Sequence, residues 1–267
     1  MLIYVNGDSF TDGVGIADSE LFPEYPGHYR SYDELPRTWP AVRDDLVNSR
    51  NMREQLRMEN RARCWATHLG KLLNAKVINE AVGGSSMFAI LTRTVHDLEE
   101  LAKNNQIPDY VIIGLTSEER VPIINTTPPI QNDDYWIQTG HPSHINSLNS
   151  KYKKYAIEYW NSHSDEEMLL FFLYECLHLK NYVKLKTGKD PVFLNTSNGS
   201  GRYKNIINKT RIHLLKEAWD LAEFDNVANQ SKFLDIAQKH GITACGHFLH
   251  EANIEYAEYI KKNILKL

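Results

Sequence analysis

Leu2-Ile3-Tyr4-Val5-Asn6-Gly7-Asp8-Ser9-Phe10-Thr11-Asp12-Gly13 is the stretch that decides the fold. Residues 2–6 form a short apolar run without polar alternation, the pattern of a parallel strand covered on both faces. Gly7 ends the run, and Asp8 and Ser9 are residues that turn a chain and start a helix through side-chain bonds to backbone amides. Strand, turn and helix start are the opening of a βαβ unit.

The same pattern recurs downstream. Trp65, Leu69, Leu72 and Leu73 share one face of a helix predicted over Cys64–Leu73, and a strand follows at Lys76–Asn79. Gly83-Gly84-Ser85-Ser86 is a loop at that strand's end, Met87–Asn104 has helical spacing, and Tyr110-Val111-Ile112-Ile113-Gly114 is the clearest central strand. The order βαβαβ predicts a doubly wound α/β sheet. Lys151–Lys184 reads as helix, broken near Asn161–Ser164; Asp190–Asn195 reads as a further strand, and Glu251–Lys266 as a closing helix. Two stretches interrupt the pattern. Residues 17–60 are rich in charge, Pro and Tyr, with one helix expected over Asp44–Met58, and residues 121–150 look like a loop, long enough to be a functional cover. The expectation is one domain over 1–267, with insertions at about 17–60 and 121–165 whose aromatics (Tyr25, Tyr29, Tyr32, Trp39, Tyr135, Trp136) pack locally or line a substrate pocket.

At 267 residues, 42% hydrophobic, 24% charged and a net charge of −4, the chain has globular composition and no electrostatic reason to bind nucleic acid or an anionic membrane. Cys64, Cys176 and Cys245 are few, odd in number and widely spaced, which suits a reducing compartment. Met1 leads straight into a strand with no signal-type segment, so the expected location is the cytoplasm. The histidines show no HxH or HExxH spacing, so neither a metal nor a cofactor is expected. Oligomeric state is not legible.

In open α/β sheets, ligands bind beyond the carboxyl ends of the strands. Three such ends carry small polar loops: Gly7-Asp8-Ser9, Gly83-Gly84-Ser85 and Gly114-Leu115-Thr116-Ser117. A fourth polar turn, with His247 and His250, precedes the last helix. These blocks, in this order, resemble those of the SGNH (GDSL-type) hydrolases. Gly7-Asp8-Ser9-Phe10 is similar to the family's Gly-Asp-Ser block, and Asn79 with Gly84 five positions on is similar to its second. Gly114-Leu115-Thr116-Ser117 stands where the family has Gly-x-Asn-Asp, and Gly246-His247 resembles its terminal block.

The resemblance implies a flavodoxin-like three-layer α/β/α sandwich with a central, mostly parallel sheet. It implies a serine esterase or O-deacetylase acting on a small ester or an acylated carbohydrate. Ser9 would be the nucleophile, at a helix start, and His247 its base. The amides of Ser9 and Gly84 would form an oxyanion hole with Thr116, for which Ser117 competes. Asp8 is expected to brace the loop, and His250 to cap the helix or line the rim, while remaining the alternative to His247.

Two positions depart from the family pattern. Thr116 replaces its oxyanion asparagine, and Ala244 replaces the acid three residues before the histidine, with Asp12 and Glu251 the nearest substitutes. These departures motivate a second reading, an SGNH-fold protein that binds a ligand or partner with weak or no catalysis.

Overall fold

β1 (Leu2–Asn6) buries Ile3, Tyr4 and Val5 completely, so both of its faces are covered, as its unbroken apolar run requires. The computed structural model describes residues 1–14, 16–17, 50–124, 136–139, 150–196, 200–228, 230, 232–242 and 247–267. The fold is α/β, with a central all-parallel sheet of four strands flanked by helices. The chain packs as two compact units, Met1–Gly83 with Ser231–Leu267, and Gly84–Gln230.

In the first unit β1 pairs in parallel with β2 (Lys76–Asn79), in a register that sets Leu2 against Lys76 and Val5 against Asn79. Between them run α1 (Ser9–Asp12), α2 (Arg50–Arg63) and α3 (Trp65–Leu73). The helix expected over Asp44–Met58 thus runs on to Arg63, and its first six expected positions lie outside the described residues, as do Tyr25, Tyr29, Tyr32 and Trp39. α10 (Lys232–His240) and α11 (His250–Tyr259) close this unit, the latter continuing as a π-helical turn over Ile260–Ile264. Phe10, Phe233, Phe248 and Tyr256 stack mostly edge to face at centroid separations of 4.2–6.0 Å. Each buried ring of this kind contributes on the order of 2–3 kcal/mol.

In the second unit β3 (Tyr110–Leu115) pairs in parallel with β6 (Val192–Asn195), Ile112 against Val192 and Leu115 against Asn195. α4 (Met87–Lys103) packs on α6 (Asp165–Thr187), which buries Leu169, Phe172, Leu173 and Cys176. The helical break falls where α5 (Ser150–Ser162) ends: Ser164 and Glu167 form a reciprocal capping box that starts α6, and Gly188 in the left-handed conformation stops it. α7 (Ser200–Lys209), α8 (His213–Leu221) and α9 (Phe224–Ala228) complete the unit.

The expected loop over 121–150 is corrected in part. β4 (Val121–Ile124) and β5 (Trp136–Thr139) form an antiparallel pair with Val121 against Thr139. Pro122 inside β4 disguised it, because proline lacks a ladder donor and reads as a strand breaker. Tyr135 and residues 140–149 lie outside the described residues. Among the described residues no helix is long and apolar enough to cross a membrane.

Candidate active site

The site is built on the turn after β1. Asn6 Oδ1 accepts the Gly7 amide at 2.8 Å, which fixes the chain as it leaves the strand. Asp8 is extended (φ −98°, ψ −157°) and its Oδ1 accepts the Phe10 amide at 3.1 Å, so it caps α1. Gly13 ends that helix at φ +80°, donating to Ser9 O at 3.0 Å. α1 is a single turn of four residues, too few aligned peptides for the macrodipole that a longer helix would direct at Ser9.

The second element is the segment entering α11. Phe248 makes an antiparallel bridge to Ile242, and Leu249 is the N-cap of the helix. Asn253, almost wholly buried, donates from Nδ2 to Leu249 O at 2.9 Å, while its Oδ1 accepts the Trp65 amide at 2.9 Å. One side chain thus ties this segment to the first residue of α3 and satisfies an amide that helix geometry leaves orphaned.

These two elements bring Ser9 and His247 together across 238 residues: His247 Nε2 lies 2.7 Å from Ser9 Oγ. The imidazole is half-buried, and the Phe10 ring packs against it at a centroid distance of 4.6 Å and an interplanar angle of 48°. With its proton on Nδ1, the ring accepts the serine hydroxyl's hydrogen bond at Nε2, the geometry needed for proton removal during nucleophilic attack.

Gly83 is the glycine found against the serine. A β-carbon there would lie 3.6 Å from Ser9 Cβ and 3.1 Å from Val14 Cγ2. Its neighbour Gly84, the residue singled out by the sequence, has φ +81°, a conformation that glycine adopts without steric cost. In the second unit, Thr116 follows β3 fully buried, and its hydroxyl has no hydrogen-bond partner among the described residues. A buried, uncommitted hydroxyl costs about 1–3 kcal/mol unless something uses it. Ser117 is occupied differently: its Oγ accepts the Glu119 amide at 3.3 Å and lies 3.4 Å from Glu118 Oε2.

His250 does not cap α11, since the N-cap Leu249 makes no side-chain bond. Its ring sits 5.0 Å from that of His68, centroid to centroid. Burial and the neighbouring His250 hold His68 below the usual imidazole value. Neither suggested substitute acid is free for the base. Asp12 is paired with Arg61 at 2.7 Å and Arg57 at 3.6 Å, and Glu251 is exposed in the first turn of α11. Ala244 and its neighbours at 243–246 lie outside the described residues.

Glu118-Glu119-Arg120 follows β3 as a charged turn whose partners lie far away in sequence. Glu118 and Glu119 are buried and both pair with Arg202 of α7, which also reaches Asp165 at 2.8 Å. Burial raises the Glu118 carboxyl, partly offset by a hydrogen bond from Tyr203 and by the Arg202 charge. Arg120 donates from Nη1 to Ser85 O at 3.1 Å. Among the described residues no three His, Cys, Asp or Glu side chains gather as a metal site requires.

No family model matches the chain, and no curated protein matches its sequence. Among solved structures, the chain is similar to TesA at 12% identity, over 99% of each chain, with a TM-score of 0.46. It is similar to Est2A, an acetyl xylan esterase from the rumen bacterium Butyrivibrio proteoclasticus, at 13% identity and a TM-score of 0.46; the match takes in 98% of this chain and 64% of that one. A carbohydrate esterase, described as having an active site with divergent catalytic and non-catalytic binding functions, is similar at 11% identity and a TM-score of 0.45. That match takes in 100% of this chain and 68% of the other.

Proposed function

We propose that the chain is a divergent serine hydrolase of the SGNH type, an esterase or O-deacetylase that works through an acyl-serine intermediate. The observation that carries this reading is the 2.7 Å approach of Ser9 Oγ to His247 Nε2. A lone serine is a weak nucleophile, and an adjacent imidazole is what activates it. The reading also draws on the order of the four sequence blocks and on the positions of three of them at strand ends and of the fourth before the last helix.

In this reading His247 Nε2 takes the hydroxyl proton as Ser9 Oγ bonds to the ester carbonyl carbon, whose oxygen becomes an alkoxide. The amide of Ser9 stabilises that oxyanion, and the family resemblance assigns the further donors to the amide of Gly84 and the hydroxyl of Thr116. The alkoxide collapses, the carbon–oxygen bond to the leaving group breaks, and the imidazolium protonates the departing alcohol. Water then repeats the cycle, with His247 again accepting a proton and returning it to Ser9 as the acid is released. No metal or organic cofactor enters these steps. The substrate class implied by the resemblance is a small carboxylic ester or an O-acetyl group on a carbohydrate.

The second reading, a binding protein with weak or no catalysis, is favoured by threonine at 116 and alanine at 244, where the family carries an oxyanion donor and an acid. One experiment separates the two. A fluorophosphonate probe and p-nitrophenyl acetate are applied to the protein and to Ser9→Ala. Labelling and hydrolysis that both vanish in the variant support the hydrolase. Folded protein that neither labels nor hydrolyses supports the binding reading.

A further inference from the structure

α2 presents Arg57 and Arg61, four residues apart, to the base of the Ser9 turn. Arg61 Nε donates to Asp12 Oδ1 at 2.7 Å, and its Nη2 donates to Ala81 O at 2.6 Å. Arg57 lies behind it, donating from Nη2 to the same carbonyl at 3.2 Å and approaching Asp12 Oδ1 at 3.6 Å. Asp12 stands three residues after Ser9 on α1, with its side chain 8% exposed, and Ala81 stands two residues before Gly83, the glycine packed on Ser9. The planar guanidinium fork therefore joins the turn carrying the nucleophile to the segment that runs into the paired glycines.

The surrounding bonds make this a braced corner. Asn79 donates from Nδ2 to Thr11 O at 3.1 Å and accepts the Ala81 amide at 3.1 Å; the Val82 amide donates to Gly7 O at 3.2 Å. The Arg61 backbone is itself held, its carbonyl accepting Thr67 Oγ1 at 2.6 Å. Within this corner, Arg61 makes the shortest of the side-chain bonds that tie α1 and the 81–83 segment together, alongside those of Asn79 and Arg57, and a lysine ammonium cannot reproduce its fixed two-way geometry.

We propose that Arg61 is a positioning residue for the hydrolytic reaction: through Asp12 and the Ala81 carbonyl it sets the spacing between Ser9 and the Gly83 segment. The inference rests on the serine-hydrolase reading. It gives α2 a part in the chemistry, because misplacing a reacting group by about 1 Å can cost on the order of 10²-fold in rate.

The test measures fluorophosphonate labelling rates, and kcat and KM for p-nitrophenyl acetate, in the protein and in Arg61→Gly, Arg61→Lys, Asp12→Asn and the control Arg63→Ala. Folding of each is checked by circular dichroism and a thermal melt. Arg61→Gly is expected to lose about 10²-fold in kcat and labelling rate with KM within about twofold, Arg61→Lys to recover little, and Arg63→Ala to match the parent. Guanidinium ion at non-denaturing concentration is expected to restore Arg61→Gly by about tenfold or more, and not Arg61→Lys. Should Arg61→Gly fail to fold, Asp12→Asn carries the test: it removes the charge at nearly constant shape and should lower kcat at unchanged KM. A reactive parent with equally reactive Arg61 and Asp12 variants, or losses that merely follow the unfolded fraction and resist guanidinium, overturns the positioning role alone. An unreactive parent overturns the hydrolase reading, and the positioning role with it.

Discussion

Glu175→Gln should stabilise the protein at neutral and alkaline pH and leave it unchanged in mild acid. Glu175 lies on α6 beside the fully buried Cys176, and burial alone lifts its carboxyl from the ordinary 4.5 to about 7. The folded protein therefore keeps the proton up to about pH 7, whereas the unfolded chain releases it near pH 4.5. Between those values the folded state binds more protons, so this residue's contribution is at its best below pH 4.5, is lost as pH rises through 7, and is flat above. A gap of about 2.5 pH units corresponds to about 3 kcal/mol, and to about 2 kcal/mol once partial solvent access is allowed for. Glutamine has the shape of the protonated carboxyl and never ionises. Urea unfolding at pH 4 and pH 8 checks this. The two proteins should agree within about 0.5 kcal/mol at pH 4, and the variant should lead by about 2–3 kcal/mol at pH 8, equivalent to roughly 5–10 °C in melting temperature. A variant less stable than the parent at pH 8 would refute the reasoning, since it would mean that the ionised carboxylate is paired rather than merely desolvated.

Two further outcomes follow from the geometry around the site. Asn253→Ala leaves the buried Trp65 amide without its partner, while the Leu249 carbonyl keeps the backbone amide of residue 253, and should cost about 1–3 kcal/mol in chemical denaturation. Gly13→Ala puts a β-carbon 2.8 Å from Cys64 Cβ and 2.9 Å from Asn60 O at a residue with φ +80°, and should lower stability by about 2 kcal/mol or more, read as a drop in melting temperature.

Much of the frame was legible because its signals are local. The unbroken apolar runs at 2–6 and 110–114 mark strands covered on both faces, and the helical spacing marks a stripe that buries Trp65 and Leu69, whereas Leu73 is half-buried and Leu72, expected on the same face, is exposed. The break at Ser164 is a capping box written in four consecutive residues. β4 was less legible because Pro122 speaks against a strand unless the pairing partner is known, and Trp136–Thr139 lies twelve residues beyond Ile124. The role of Arg57 and Arg61 was invisible for a related reason. Two arginines four apart on a polar helix usually mark a solvated face, and nothing nearby in sequence announces a buried aspartate 49 residues upstream of Arg61.

By itself the sequence determined the alternation of strands and helices and the presence of small polar turns at the strand ends, since both depend on periodicity and backbone preference over a few residues. Only the tertiary structure decided which polar groups meet. It set His247 on Ser9, committed Asp12 to Arg61, and buried Glu118 and Glu119 against Arg202. Such partnerships depend on how separate elements pack, and a charged or hydroxyl side chain carries no local mark of the distant group that will satisfy it once water is excluded.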